Sequence, residues 1–366
     1  MIKHSWIVIL LALSGCIPAK SFFYGAPDSK DILRFDASPI SPSDDCFAFY
    51  DSDGLIGNRI KINDWTTDIP FFNSLNDLAE SHSVRSFLII RNDSILFQHN
   101  RADIDEASIH PSYSMAKSVT SALVGIAIKQ GEISSVNELV SSHIPELTET
   151  EFVNELTIEH LLNHTSGLKY TLRSDADLYY GNDVLKAVKY ASFDHKPGTH
   201  QHYLNINVQL LGLILQRATG VSPSEYLQEK IWKKIGACDE ARWSTDKHGN
   251  DRTFCCLGAT ALDYAKFGRL FLNQGNWNGE QVIPADWFKE SIERDSTEGS
   301  SFNYNYCWHV GLKEYGDFMA IGLYKQHIYV NPKKNLLIVL LNDKEKPLKA
   351  ERVNWWYVFR QIADQL

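Results

Sequence analysis

Between Met115 and Gln130, Val119, Leu123, Val124, Ile126 and Ala127 wrap almost every side of one helical stretch, which Gly131 then ends. A helix with one apolar face can lie on a surface, but one that is apolar nearly all round must be buried. This stretch therefore predicts a helix enclosed by other elements. A chain of 366 residues is long enough to build the core this needs, and 44% apolar with 22% charged residues argues against disorder and against a multi-span membrane protein. At the head of the helix Ser114 and Lys117 stand at i and i+3, one turn apart on one face. A serine hydroxyl is a weak nucleophile without a base, and a lysine can serve as that base once it is neutral. Burial against the apolar helix and the positive end of the helix dipole both push the amine toward its neutral form.

The spacing alone does not settle the assignment, because Ser244 and Lys247 repeat it in a polar stretch with no apolar helix behind it. The alternative for Ser114 is a helix cap with a surface lysine one turn later, and the apolar helix behind it favours the catalytic reading. Further evidence comes from Tyr203 and Asn205, which follow Pro197 and Gly198 and precede a helical pattern from Val208 to Thr219. In an extended segment, residues i and i+2 point to one side, so a phenol and an amide would face one cavity. The phenol can relay a proton, and the amide can hold a lysine and donate to a substrate carbonyl. The structural alternative is a core tyrosine followed by a capping asparagine.

Strand patterns occupy both ends of the chain. Ser86 to Ile90 and Ser94 to Gln98 flank Asn92 and Asp93, a hairpin signature, and Gln326 to Val330 and Leu336 to Leu341 flank Asn331, Pro332 and Asn335. Helical patterns lie between them, from Ile158 to Asn163 and Asp263 to Asn273, and a terminal helix from Glu351 to Gln365 carries Trp355, Trp356, Phe359 and Ile362 on one side. The order predicts an α/β (α+β) fold: an antiparallel sheet flanked by helices, with an inserted helical subdomain. Residues of about 63–112 and 255–366 would form the sheet part of a domain spanning 63–366, and about 113–254 the helical part.

The N-terminus has a different character. Lys3 and His4 precede an apolar run from Trp6 to Leu13, too short to span a bilayer and the right size for a signal-peptide core. Leu13, Ser14, Gly15 and Cys16 resemble a bacterial lipoprotein box, which implies a signal over 1–15 and lipid on Cys16, with an ordinary secretory signal as the alternative. Several acyl chains anchor stably where one does not. Ile17 after the cysteine favours the outer membrane by analogy, in a periplasm-facing bacterial cell envelope. Residues 16–62 contain Pro18, Gly25, Pro27, Pro39 and Pro42 and read as an extended tether. Cys46, Cys238, Cys255, Cys256 and Cys307 match no zinc spacing, and most read as buried free thiols. The net charge of −9 without a basic run argues against a nucleic-acid partner.

Ser-Met-Ala-Lys at 114–117, Tyr-Leu-Asn at 203–205 and the segment from Thr157 to Leu168 together resemble the class C β-lactamase and penicillin-recognising serine hydrolase superfamily. The runs from Gly258 to Gly268 and from Gly275 to Trp287 are most similar to its aminohexanoate-oligomer hydrolase and esterase branch. The resemblance implies a β-lactamase/transpeptidase-like fold and an acyl-enzyme mechanism on a small ester or amide substrate. Ser114 would be the nucleophile, Lys117 its base, Tyr203 the proton donor to the leaving group and Asn205 the residue that orients lysine and substrate. No cofactor or metal is implied. Counting back from Pro332 puts the superfamily's Lys-Thr-Gly strand motif near Asp317, Phe318 and Met319, and no lysine stands there. Without that cation the usual grip on a β-lactam carboxylate is missing. A backbone N–H of Ala320 or Ile321 would complete an oxyanion hole with that of Ser114.

Tyr170, Trp308 and Tyr324 fall near cleft-lining positions of relatives and are candidate substrate walls or core aromatics. His160 and His164 are i, i+4 on a helix but lack a third metal ligand, so a structural role is favoured. Asp194, His195, His200 and His202 could suggest a Ser-His-Asp triad, yet no GxSxG elbow presents a serine to them. Two function classes follow: an active serine hydrolase, or a lipid-anchored binding protein that has kept the fold and lost turnover.

Overall fold

The computed structural model describes residues 25–52, 56–63, 70–82, 84–147, 150–343 and 353–366. The signal and lipid-bearing cysteine expected over 1–16 lie outside them. Among the described residues no helix is long and apolar enough to cross a membrane.

The main sheet is assembled from both ends of the chain. Its strands are β1 (Tyr50–Asp51), β2 (Val84–Arg91), β3 (Ser94–Asn100), β4 (Tyr304–Asn305), β5 (Trp308–Val310), β6 (Phe318–Gly322), β7 (Gln326–Asn331) and β8 (Leu336–Asn342). They lie in the order β4-β5-β6-β7-β8-β2-β3-β1, with every neighbouring pair antiparallel except the parallel edge pair β1 and β3. The β2–β3 hairpin turns at Asn92 and Asp93, both left-handed with φ of 51° and 57°, which is the backbone a tight hairpin turn requires. Asn335, with φ of 47°, closes the turn between β7 and β8.

The central strands are apolar without alternation because both of their faces are covered. On β8, Leu337, Val339 and Leu341 join the larger core, while Leu336, Ile338 and Leu340 join a second core on the opposite face. The helices α1 (Ala116–Gln130), α2 (Ile158–Leu162), α3 (Leu172–Tyr180), α4 (Asn205–Thr219) and α5 (Ala261–Leu272) lie on the first side. Helix α6 (Trp355–Gln365) closes the second with Trp355, Phe359 and Ile362. Helix α1 is buried from Ala116 to Ala127, as its sequence requires.

A smaller four-stranded sheet positions the segment before α1. Its order is Ala37–Ile40, Ala241–Ser244, Leu257–Ala259 and His110–Pro111. Two expectations change here. Residues 37–40 are not an extended tether but an edge strand paired with 241–244, and Cys46 is joined to Cys238 by a disulfide. The second departure is at the remaining thiols: Cys255 and Cys256 are joined to each other, and Cys307 alone among the described cysteines is free and buried. Sequence spacing could not pair cysteines 192 residues apart, because only the folded chain brings them together.

Candidate active site

Ser114 lies in a tight 3₁₀ turn, Tyr113–Met115, that leads directly into α1. Tyr113 has φ of 44°, an uncommon conformation for a bulky residue and one that marks a constrained turn. The turn is held from outside by the N–H of Ser112, which donates to the Leu257 carbonyl at 2.7 Å. The strand pairing of Pro111 with Gly258 fixes the same approach.

Lys117 is 1% exposed, and its Nζ has three partners. Ser114 Oγ is 3.0 Å away, Asn205 Oδ1 2.9 Å and the Phe254 carbonyl oxygen 2.8 Å. Burial lowers its pKa to about 7, against weaker opposing pulls from Cys307 and then the Asp175 carboxylate. The three contacts then acquire a definite sense. A neutral amine has two N–H donors and one lone pair, and two of the partners are oxygens that only accept. Both donors are used on Asn205 and Phe254, which leaves the lone pair facing the Ser114 hydroxyl.

The orientation of Asn205 is itself determined. Its amide side chain hydrogen-bonds Asp175 on α3. A carboxylate accepts, so the NH₂ group faces Asp175 and the carbonyl oxygen faces Lys117. Burial raises the Asp175 pKa, while Asn205 and Lys117 favour its ionised form. Asp175 gave no signal in the sequence because its link to Asn205 joins two helices. Asn205 opens α4 after the extended Leu204, so the helix expected from Val208 begins three residues earlier and the extended segment ends at Leu204.

Tyr203 completes the group. Its ring centroid is 4.9 Å from Lys117 Nζ, and its phenol is hydrogen-bonded with Ser114. Tyr203 is 40% exposed as a residue, but desolvation at its phenol end pushes that group's pKa above its ordinary value, so at neutral pH it holds its proton. The ring stacks on His164 at 4.4 Å between centroids. His164 Nδ1 accepts from the Leu204 N–H at 3.1 Å, which leaves Nε2 to carry the proton and donate to Tyr304 at 3.1 Å. His164 is a neutral support for Tyr203, kept neutral by burial, and His160 completes the capping box of α2 with Thr157.

A family model described as Beta-lactamase matches residues 85–363. The chain belongs to the Beta-lactamase family. A relative called 6-aminohexanoate-dimer hydrolase, from Paenarthrobacter ureafaciens, is 23% identical over 317 residues, covering 79% of this chain and 79% of that one. Protein flp of Staphylococcus aureus strain MW2 is 32% identical over 324 residues, and the match spans 76% of this chain but only 64% of that relative. Among solved structures, a candidate 6-aminohexanoate-dimer hydrolase from Bacillus anthracis superposes with a TM-score of 0.79 at 22% identity, covering 90% of each chain. A class C β-lactamase gives 0.61 at 15% identity, covering 79% of this chain and 93% of that one. The β-lactamase/transpeptidase-like fold expected for a member of this family is thereby shown.

Of the other positions expected at a Beta-lactamase family site, several are displaced. The strand residue that abuts the Ser114 turn is Gly322, not Met319: a Cβ built on Gly322 would lie 2.4 Å from the Ser112 carbonyl oxygen. The close approach of two backbones excludes any side chain there, and a glycine at a strand end was the available signal. Asp317 is instead bound by Arg360 and Tyr329 beneath α6. Ala320 is buried on the α1 side of β6, whereas Ile321 packs toward the core under α6.

Tyr324, just past Gly322, stands edge-on to Tyr113 at 5.4 Å and donates to the Pro27 carbonyl at 2.6 Å. Tyr170 is exposed and tilted against His202 at 5.8 Å. Trp308 is fully buried among Phe267, Phe271 and Phe318, so it is a core aromatic and not a substrate wall. Of the alternative triad, His195 meets His200 ring to ring, and Asp194 pairs with Lys169. Ser114 is bonded by Lys117 instead.

Proposed function

We propose that this chain is a serine hydrolase that cleaves an ester or amide bond through an acyl-enzyme on Ser114. The observation that carries the reading is the contact of the buried Lys117 Nζ with Ser114 Oγ, beside two oxygens that only accept, so that in the neutral form that burial favours, the lone pair faces the hydroxyl. Lys117 takes the proton as Ser114 Oγ attacks the substrate carbonyl carbon. The oxyanion that forms is stabilised by backbone N–H groups of the Ser114 turn and of the end of β6. Tyr203 gives its proton to the leaving alcohol or amine and regains one from the Lys117 ammonium. A water molecule, deprotonated by the same pair, then releases the acid and frees Ser114.

The strand that runs to Gly322 beside the Ser114 turn supports an ester or amide substrate over a β-lactam. Ala320, Ile321 and Gly322 supply no cation for a carboxylate. The relative called 6-aminohexanoate-dimer hydrolase supports hydrolysis in general. Incubation with an activated ester and, separately, with a penicillin, followed by intact mass measurement, tests the reading. An acyl adduct from the ester and none from the penicillin is expected; no adduct from any member of an ester panel would leave a binding protein.

The lipid anchor belongs to the same reading. Cys16, preceded by Leu13, Ser14 and Gly15, would carry the lipid and hold the enzyme at the envelope membrane. Cys16→Ser is expected to release the protein from membrane fractions or leave it unprocessed, and a wild type that fractionates as soluble would refute it.

A further inference from the structure

The Cys255–Cys256 disulfide lies between two backbone carbonyls that hold the reaction centre. One residue before it, the Phe254 carbonyl accepts from Lys117 Nζ at 2.8 Å. One residue after it, the Leu257 carbonyl accepts from the Ser112 N–H at 2.7 Å and so fixes the turn that carries Ser114. The carbonyls of the two cysteines are also engaged. That of Cys255 accepts from Trp243 Nε1 at 2.8 Å, and that of Cys256 from the Ser244 N–H at 3.0 Å. Cys256 has φ of 70°, a left-handed conformation that a side chain other than glycine's disfavours. Both cysteines are buried, away from any role as a surface staple.

We propose that this vicinal disulfide is a positioning element for the Ser114–Lys117 pair. It closes a small ring across a single peptide bond, and that ring fixes the backbone between the carbonyl that holds the base and the carbonyl that holds the nucleophile's turn. The role rests on the serine hydrolase reading given above. Without the ring, residues 255 and 256 regain torsional freedom and the left-handed backbone at 256 is no longer enforced. The Phe254 carbonyl then moves relative to Leu257. A displacement on the order of 1 Å is enough to cost a reactive geometry most of its advantage. A Lys117 amine that loses its Phe254 acceptor turns an N–H toward Ser114 instead of its lone pair. Water admitted beside it stabilises the ammonium and raises its titration midpoint.

The test compares the wild-type full chain with two double variants. One is Cys255→Ser with Cys256→Ser; the other is Cys255→Ala with Cys256→Gly, whose glycine accepts the left-handed backbone without the ring. Lys117 is titrated by NMR of side-chain-labelled lysine, assigned with Lys117→Arg, and the acylation rate is followed against pH with an activated ester. In the serine variant the midpoint is expected to rise from about 7 by about one pH unit, so that acylation at pH 7 falls about five-fold. The glycine variant should recover part of that loss.

A lower melting temperature with an unmoved midpoint and an unmoved acid limb would mean a structural staple only and would overturn the inference. Iodoacetamide labelling of Cys255 and Cys256 in unfolded, unreduced wild type would overturn it too. If the serine variant does not fold, the glycine variant carries the same comparison. If the wild type is acylated by no ester, the hydrolase reading is what fails, and the Lys117 midpoints still decide the role of the ring.

Discussion

Ser114–Lys117 and Ser244–Lys247 share one spacing and differ in nearly everything else. The first pair stands where a 3₁₀ turn enters a buried helix, so i and i+3 fall on one face and Lys117 is enclosed at 1% exposure. In the second, Ser244 ends a strand and Lys247 lies in the turn that follows. Ser244 is buried with no hydrogen-bond partner for its hydroxyl among the described residues. Lys247 has a side chain 61% exposed and pairs with Asp36 at 2.6 Å. A base must be neutral to act, and burial is what brings Lys117 toward its neutral form near pH 7. Spacing therefore brings two groups within reach, but the environment of the second decides whether chemistry follows.

Three experiments would break or sharpen this contrast. The largest effect is expected from Ser114→Ala, which should abolish acylation and turnover, while Ser244→Ala leaves both unchanged and leaves the melting temperature level or slightly higher, since it removes an unpartnered hydroxyl. Covalent labelling that survives in the Ser114 variant would refute the assignment.

The next largest comes from arginine substitutions of the two lysines. A guanidinium stays charged at any usable pH, so Lys117→Arg keeps the charge and removes the base. Acylation should fall by ~10² to 10⁴ with the circular dichroism spectrum intact. Lys247→Arg should change nothing, as an exposed ion pair contributes little. The pH profile separates the two lysines again. Because the neutral amine is the active form, wild-type acylation should rise from the acid side with a midpoint of about 7, and that limb should vanish in Lys117→Arg. A flat wild-type profile through that range would point to a different base.

The smallest of the three is Tyr203→Phe. It leaves Lys117 and its lone pair in place and removes only the proton carried to the leaving group. A loss of about 10-fold to 10²-fold is expected, greater for amides than for activated esters, whose leaving groups need no proton. Equal losses for both substrate types would assign Tyr203 to orientation of Ser114 instead.

The parts of the fold legible from the sequence are those whose physics is local. The Asn92–Asp93 turn, the double-sided apolar run of Leu336 to Leu341 and the all-round apolar helix after Met115 each specify an element through a few neighbouring residues. Ser114 with Lys117 was readable for the same reason, since one helical turn joins them. Where a motif had to be placed by counting along a strand, the reading slipped: backbone proximity at Gly322 sets the register against the Ser114 turn, and a sequence carries no record of that distance.

By itself the sequence determined which side chains were available for the chemistry, because nucleophile, base, phenol and amide are fixed by residue type and short spacing. Tertiary structure decided which copy of the pair became a buried base. It also brought Asp175 to the Asn205 amide and the Phe254 carbonyl to Lys117, paired Cys46 with Cys238, and folded residues 37–40 in as a strand. The physical reason is common to all of these. A lysine's charge state, an amide's orientation and a thiol's partner depend on desolvation and on contacts between residues far apart in sequence, and those exist only once the chain has closed around them.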